Sequence, residues 1–143
     1  EKSKIDKFRG KSKKLKSGVE VYTIKKGKGV KPVDGDEIFF NYEGYLSING
    51  VLFGTNRKEI MIAYDRYSKD EENKGWYDPQ KIKFSSNMQL IEGFKEVLSN
   101  MNLGDKVFAY IPSELGYGER AMGNRIPANS DLAFIIELVD TAN

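Results

Sequence analysis

Two residue types that often carry enzyme chemistry are missing from this chain. Its 143 residues include no histidine and no cysteine, which excludes Ser–His or Cys–His catalysis within the chain, thiolate chemistry and disulfides. Glu92 and Glu96 lie four apart on a predicted helix but away from its apolar stripe, so they are typical of a surface pair. The acidic residues of 65–72 lack the spacing of a calcium loop. We therefore expect neither a metal nor a cofactor.

Apolar and aromatic side chains near predicted turns are the remaining candidates for a site. Singly, each is typical of a buried core. Together they favour a concave apolar pocket with a few hydroxyl groups, although their types do not identify its ligand. The cluster consists of Tyr42, Phe53, Ile82, Leu90, Ile91, Phe94, Tyr117, Ile126 and Phe134.

One helix, expected over residues 87–105, must position this cluster. Its apolar residues recur at the spacing of a single helical stripe. Residues 85–87 offer N-cap oxygens and Gly104 a left-handed C-cap. Gly93, in the first turns, indicates either a tight helix–sheet contact or a helix start left accessible to a ligand. The stripe consists of Leu90, Phe94, Val97, Leu98 and Met101.

The other periodic segments predict strands. They are rich in β-branched and aromatic residues and lie between turn signals. About five antiparallel strands wrapped around one helix make an α+β fold. The segments span residues 19–24, 37–46, 51–53, 81–84, 106–111 and 131–140.

Composition indicates one globular domain with two unusual segments: 39% of residues are hydrophobic and 31% charged. Residues 1–16 hold eight of the 23 Lys and Arg and two of the 21 Asp and Glu, which predicts a flexible basic tether. We expect no nucleic-acid partner, because the body has no basic stripe interleaved with aromatics. Residues 56–80 interrupt the strand pattern and predict an insertion.

Several motifs, in this order, resemble the FKBP family of peptidyl-prolyl cis–trans isomerases. The resemblance covers residues 17–143 and implies a five- or six-stranded antiparallel half-barrel around the helix, with the pocket between them. It implies rotamase activity on proline-containing polypeptides, assisting protein folding, with macrolides of the FKBP type as further ligands. The motifs are Asn41-Tyr42-Glu43-Gly44-Tyr45-Leu46, Gly50-Val51-Leu52-Phe53, Leu90-Ile91-Glu92-Gly93-Phe94, Ile111-Pro112, Leu115-Gly116-Tyr117-Gly118 and residues 125–132 and 134–138.

The resemblance also implies roles for the clustered residues. Phe94 takes the pocket floor, where the family usually has tryptophan. The backbone N–H of Ile91 and the hydroxyl of Tyr117 bind peptide carbonyls, and Ile126 lies on the loop covering the proline ring. The catalytic set is then Tyr42, Phe53, Ile91, Phe94, Tyr117 and Phe134, and the substrate-binding set is Ile82, Leu90 and Ile126.

One departure bears on activity and macrolide binding. Gly54 stands where the family usually has an aspartate that hydrogen-bonds tyrosine. Residues 56–80 replace a shorter segment that normally carries the arginine partner of that aspartate. Asn56 and Asp65 are candidate replacements for the lost carboxylate.

Three functions therefore stay open. An isomerase of this type needs no nucleophile, so the absence of histidine and cysteine agrees with it. Gly54 favours a proline-peptide-binding chaperone or docking module with weak or no isomerase activity. A structural envelope protein would have its pocket filled by its own side chains, with Trp76 as the candidate.

Location is predicted from weaker features. The lack of cysteine, a first residue other than methionine and the polar tether favour an exported protein of the periplasm or cell envelope. Its membrane contact would be a lipid anchor upstream of residue 1. A cytoplasmic protein is the alternative.

Overall fold

The computed structural model describes residues 1–140, which form seven strands and four α-helices. The strands are β1 (Lys13–Lys14), β2 (Glu20–Lys25), β3 (Glu37–Leu46), β4 (Leu52–Thr55), β5 (Gln80–Lys83), β6 (Lys106–Ile111) and β7 (Leu132–Leu138). The helices are α1 (Lys2–Gly10), α2 (Lys58–Ala63), α3 (Lys69–Asn73) and α4 (Glu92–Ser99), and a 3₁₀ turn spans Ser113–Leu115.

All the strands join one antiparallel sheet. Its order is β1-β2-β6-β7-β3-β4, and β5 also pairs with β3. The register of β3 against β4 shifts between Gly44 and Tyr45, an irregularity that bends a strand. The predicted α+β fold is confirmed. The strand count exceeds the expected five or six because the two-residue β1 adds a short edge strand.

Helix α4 packs on one face of the sheet through buried Phe94, Val97 and Leu98. A Cβ atom at Gly93 would lie 2.4 Å from Cγ2 of Ile111, so the glycine lets α4 approach β6 closely. The tight-contact interpretation of this glycine therefore holds.

The predicted helix limits are too wide. Helix α4 begins after Ile91, whose extended backbone is the N-cap without a side-chain hydrogen bond, and ends before Asn100. Residues 85–87 form a turn ahead of the helix. Gly104 has φ +93° but lies in the turn before β6, so it is not the C-cap. The apolar stripe continues beyond the helix because Met101 stays buried in the same core.

The opposite face of the sheet carries a second apolar core covered by α1. Ile5 is 4% exposed, and the Phe8 ring lies 5.7 Å from that of Tyr22 and 5.6 Å from that of Phe108, between centroids. The tether expectation is therefore wrong for residues 2–10, and β1 pairs with β2 at residues 13–14. Ile5 and Phe8, three apart, face the sheet from among the lysines, a spacing that the charge count obscured.

The predicted insertion at residues 56–80 contains α2 and α3, which the sequence pattern did not reveal. The Ser68 hydroxyl caps α3 by accepting a hydrogen bond from the Glu71 N–H at 3.2 Å. The Tyr77 hydroxyl donates to Glu71 Oε1 at 2.7 Å and accepts from the Ser68 N–H at 3.1 Å. These bonds order the segment internally.

Candidate active site

A cavity of about 980 Å³, here the first cavity, lies between the start of α4 and the sheet. Eight of the nine predicted site residues line it. Ile82 does not; it packs against the core from β5. The strand register gives the reason, because Phe40 pairs with Gln80 and Ile38 pairs with Ile82, which brings Gln80 to the cavity instead. The predicted residues that line it are Tyr42, Phe53, Leu90, Ile91, Phe94, Tyr117, Ile126 and Phe134.

Phe94 is surrounded by other aromatic rings. Its centroid lies 5.2 Å from that of Phe134 at an interplanar angle of 88°, and 6.5 Å from that of Tyr42 at 84°. Phe53 meets Phe134 edge to face at 5.5 Å. Such edge-to-face pairs hold rings in defined orientations. The result is a rigid apolar recess whose walls come from α4, β3, β4 and β7.

Phe40 is a lining residue that sequence reasoning missed. Its ring lies 5.3 Å from that of Phe94, between centroids, and it is 5% exposed. A usable signal existed, since Phe40 stands two residues before Tyr42 on β3 and therefore shares its face.

Gly44 makes room for the aromatic wall. A Cβ atom there would lie 2.5 Å from Cζ of Phe53 and 2.9 Å from Cε1 of Phe134. Any side chain at this position would displace one of the two rings. The sequence motif contains Gly44, but only the structure shows this packing role.

Polar side chains also line the cavity, among them Gln80 and Gln89. Within residues 1–140, the backbone N–H of Ile91 has no hydrogen-bond acceptor. Tyr42 and Tyr117 also line the cavity, and each carries a hydroxyl group. Burial raises the pKa of the Tyr42 phenol, and the nearby Tyr117 raises it further. The Tyr42 hydroxyl is therefore protonated at neutral pH and able to donate a hydrogen bond to a carbonyl oxygen.

The segment carrying Tyr117 and Ile126 is anchored at both ends. Asp131 accepts a hydrogen bond from the Tyr110 hydroxyl at 2.5 Å and from the Ser113 N–H at 2.8 Å. Met122 and Ile126 form an isolated β-bridge that holds the tip of the loop. These contacts fix the loop so that Tyr117 and Ile126 line the cavity.

Neither candidate replacement for the family's aspartate reaches the first cavity. Asn56 is 2% exposed, and its Oδ1 accepts from the Tyr42 N–H at 2.8 Å. Its Nδ2 donates to Asn41 Oδ1 and to the Asp78 carbonyl, so its amide is committed. Asp65 lies in the turn after α2 with φ +58° and is not a lining residue. Gly54 thus leaves its side of the cavity without a carboxylate.

Trp76 does not fill the first cavity. It is 56% exposed and is absent from the cavity lining. The recess is open, which removes the support for a plugged structural protein. Over residues 1–140 no group of three or more Asp or Glu side chains is arranged to hold a metal ion.

Comparison with known proteins identifies the family of the chain. Residues 28–139 match the family model described as FKBP-type peptidyl-prolyl cis-trans isomerase. FK506-binding protein 1 of Dictyostelium discoideum is 32% identical over 122 residues, covering 85% of this chain and 96% of that protein. The FKBP-type peptidyl-prolyl cis-trans isomerase FkpA of Escherichia coli K12 is 32% identical over 124 residues, covering 87% of this chain and 38% of that protein.

Solved structures show the same likeness. The crystal structure of FkpA from Escherichia coli has a TM-score of 0.67 and 29% identity, covering 96% of this chain and 57% of that chain. The crystal structure of AtFKBP13 has a TM-score of 0.69 and 27% identity, covering 90% of this chain and 96% of that chain. Because the family model spans most of the chain and relatives at 32% identity cover most of it as well, this protein belongs to the FKBP-type peptidyl-prolyl cis-trans isomerase family.

Proposed function

We propose that the first cavity catalyses rotation about Xaa–Pro bonds in polypeptides and so assists protein folding. The observation that carries the proposal is the convergence of eight residues of the predicted cluster on one open, aromatic-walled recess. A proline ring is compact and apolar, and a recess of this kind suits it.

The reaction needs removal of water more than it needs a reacting group. Rotation about the peptide bond faces a barrier of about 18–20 kcal/mol that arises from amide resonance. Water favours the planar amide by solvating its polar form. Transfer of the prolyl amide into the recess removes this solvation and favours the twisted state, in which nitrogen has regained its lone pair. The absence of histidine and cysteine from the chain is compatible with such a mechanism.

Each lining residue then has a distinct role. The Phe94 ring supports the proline ring from below, and Tyr42, Phe53 and Phe134 enclose its sides. The free N–H of Ile91 and the Tyr117 hydroxyl bind carbonyl oxygens of the substrate and align the amide for rotation. Leu90 and Ile126 bound the mouth of the recess, and Ile82 supports the sheet behind it.

The test is an exchange measurement by NMR on a short Leu-Pro peptide. Micromolar protein should accelerate cis–trans exchange, which takes tens to hundreds of seconds unaided. Tyr117→Phe removes only a hydroxyl, so the fold should persist while kcat/KM falls about threefold to tenfold, as loss of one hydrogen bond implies. Glu119→Gln, a change in an exposed side chain of the same loop, is the matched control. A protein that leaves exchange at the unaided rate contradicts the proposal.

A proline-binding module with weak isomerase activity is the second candidate. Gly54 favours it, since the wall lacks the carboxylate that would fix the Tyr42 hydroxyl. Peptide binding that persists without any acceleration of exchange would select this candidate. Binding of an FKBP-type macrolide is a related proposal, suggested by the relatives named FK506-binding proteins, and competition with the Leu-Pro peptide tests it.

We further propose an extracytoplasmic location, in the periplasm or cell envelope. Its support is the absence of cysteine, which avoids unwanted disulfides in an oxidising compartment. No helix within residues 1–140 is long and apolar enough to cross a membrane. Fractionation of cells expressing the full gene product tests the location; recovery with cytosolic markers contradicts it.

A further inference from the structure

The insertion forms a second cavity of about 590 Å³ beside the first. The two cavities share the lining residues Tyr42, Phe53, Gly54 and Gln80, so they adjoin across the wall where β4 carries no side chain at Gly54. Arg125 lines the second cavity and its neighbour Ile126 lines the first. A polypeptide bound in the first cavity therefore passes beside the second.

Charge in the second cavity is not balanced. Its lining carries the guanidinium groups of Arg66 and Arg125 against the single carboxylate of Glu71. That carboxylate already accepts a hydrogen bond from the Tyr77 hydroxyl at 2.7 Å. Neither arginine forms an ion pair within residues 1–140. Arg66 uses one donor, Nη1, on the Leu52 carbonyl at 3.1 Å, and a guanidinium has five N–H donors.

Two further acidic residues of the insertion are held in ion pairs. Glu72 pairs with Lys58 at 2.6 Å, and Asp70 pairs with Lys74 at 3.0 Å. Trp76, 56% exposed, adds an indole face to the lining. An arginine-bearing recess with one exposed aromatic platform fits an acidic side chain attached to an apolar stem.

We propose that the second cavity is a specificity subsite for residues that flank the proline, and that it favours a substrate with Asp or Glu two or three residues from the proline. This inference rests on the proposed isomerase function. A chain extends about 3.3–3.6 Å per residue, so two or three residues carry a side chain across the shared Gly54 wall. The insertion thereby selects among proline-containing segments.

The first test compares turnover of matched peptides. Each peptide has one central Leu-Pro pair and Glu, Gln or Lys two or three residues away on either side. For at least one placement, kcat/KM should be about fivefold higher with Glu than with Lys at low salt, as expected for a partly exposed ion pair, and the ratio should shrink in about 0.5 M NaCl. Arg125→Gln should bring the ratio towards one. Arg120→Gln, an exposed arginine of the same loop outside both cavities, should leave it unchanged.

The second test reads the subsite without catalysis. Trp76 is the single tryptophan of the chain, and it lines the second cavity but not the first, so its fluorescence can report binding there. Long Glu peptides should change its emission and bind more tightly than Lys peptides, whereas a dipeptide-length proline ligand should not change it. Equal turnover and equal affinity of Glu and Lys peptides at every placement would overturn the inference. If even the Gln peptide is not accelerated, the isomerase proposal fails, and the Trp76 titration still decides the subsite.

Discussion

A Cβ atom added to Gly54 would lie 3.7 Å from the hydroxyl oxygen of Tyr42. That separation is an ordinary van der Waals contact, and Gly54 lies in β4 without a positive φ. The chain therefore has space for the aspartate that the family usually carries at this position.

Gly54→Asp should raise kcat/KM on a Leu-Pro peptide about threefold to tenfold. The new carboxylate would accept a hydrogen bond from Tyr42 and hold that ring against the substrate; hydrogen bonds to charged groups contribute about 1.5–3 kcal/mol, less where solvent reaches them. Exchange NMR supplies the rates. Gly54→Ala adds the Cβ atom alone and should leave the rate within about twofold, so equal rates for the two variants would refute the expectation.

Gly93→Ala should lower the free energy of unfolding by about 1–3 kcal/mol, because the added methyl group would collide with the β-branched Ile111 side chain. Gly10→Ala is the matched substitution. Gly10 ends α1, and no atom lies within 4 Å of the place that an added Cβ would take, so alanine there should be neutral or stabilise by up to about 1 kcal/mol. Urea unfolding measures both, and changes of the same sign would contradict the proposed close approach of α4 to β6.

Ile5→Ala should lower the free energy of unfolding by about 2–4 kcal/mol, since Ile5 is buried between α1 and the sheet. If residues 1–16 were a free tether, this substitution would leave the free energy of unfolding unchanged. Lys4→Ala, one residue away and exposed, should stay within about 0.5 kcal/mol of wild type. Chemical unfolding of the two variants distinguishes a packed helix from a tether. An unchanged unfolding midpoint for Ile5→Ala would support the flexible tether instead.

Stability should fall as pH rises from about 10 to 12. Burial, followed by the hydrogen bond to Asp131, raises the pKa of Tyr110 to about 12, whereas an unfolded tyrosine titrates near 10. The folded state thus holds the proton more tightly, so this contribution is complete below pH 10 and is lost as pH passes through 12. Unfolding free energies of wild type and Tyr110→Phe at pH 8, 10 and 11 provide the measurement. Curves that run parallel over this range would rule out the linkage.

The strands could be predicted because their sequence pattern depends on neighbouring residues. β3 and β6 match the predicted residues 37–46 and 106–111, since alternating side chains and flanking turns depend on near neighbours alone. Helix α1 could not be predicted, because its two apolar residues pack on residues such as Tyr22 and Phe108, which are distant in the chain. The two insertion helices were not predicted because they are six and five residues long, and the apolar residues of α2 are consecutive and form no stripe.

The site residues that lie within the family motifs could be predicted from the sequence. Those motifs identified eight lining residues, and β-strand periodicity would have added Phe40. The prediction failed at Ile82, which lies outside the motifs and where the pairing of β5 with β3 decides which side chain faces the recess. The motifs include Arg125 without giving it a role and do not include Arg66, and folding of the insertion brings the two arginines to one cavity.

Strand β7 has both faces buried, with Phe134 in the recess and Ala133 and Ile135 in the core beneath α1. Adding or deleting one residue within it would exchange these faces and send the aromatic wall to the wrong side. The segment between β4 and β5 carries no such constraint. Natural or engineered changes of chain length should therefore collect there, beside the proposed subsite and away from the strands that carry the aromatic wall.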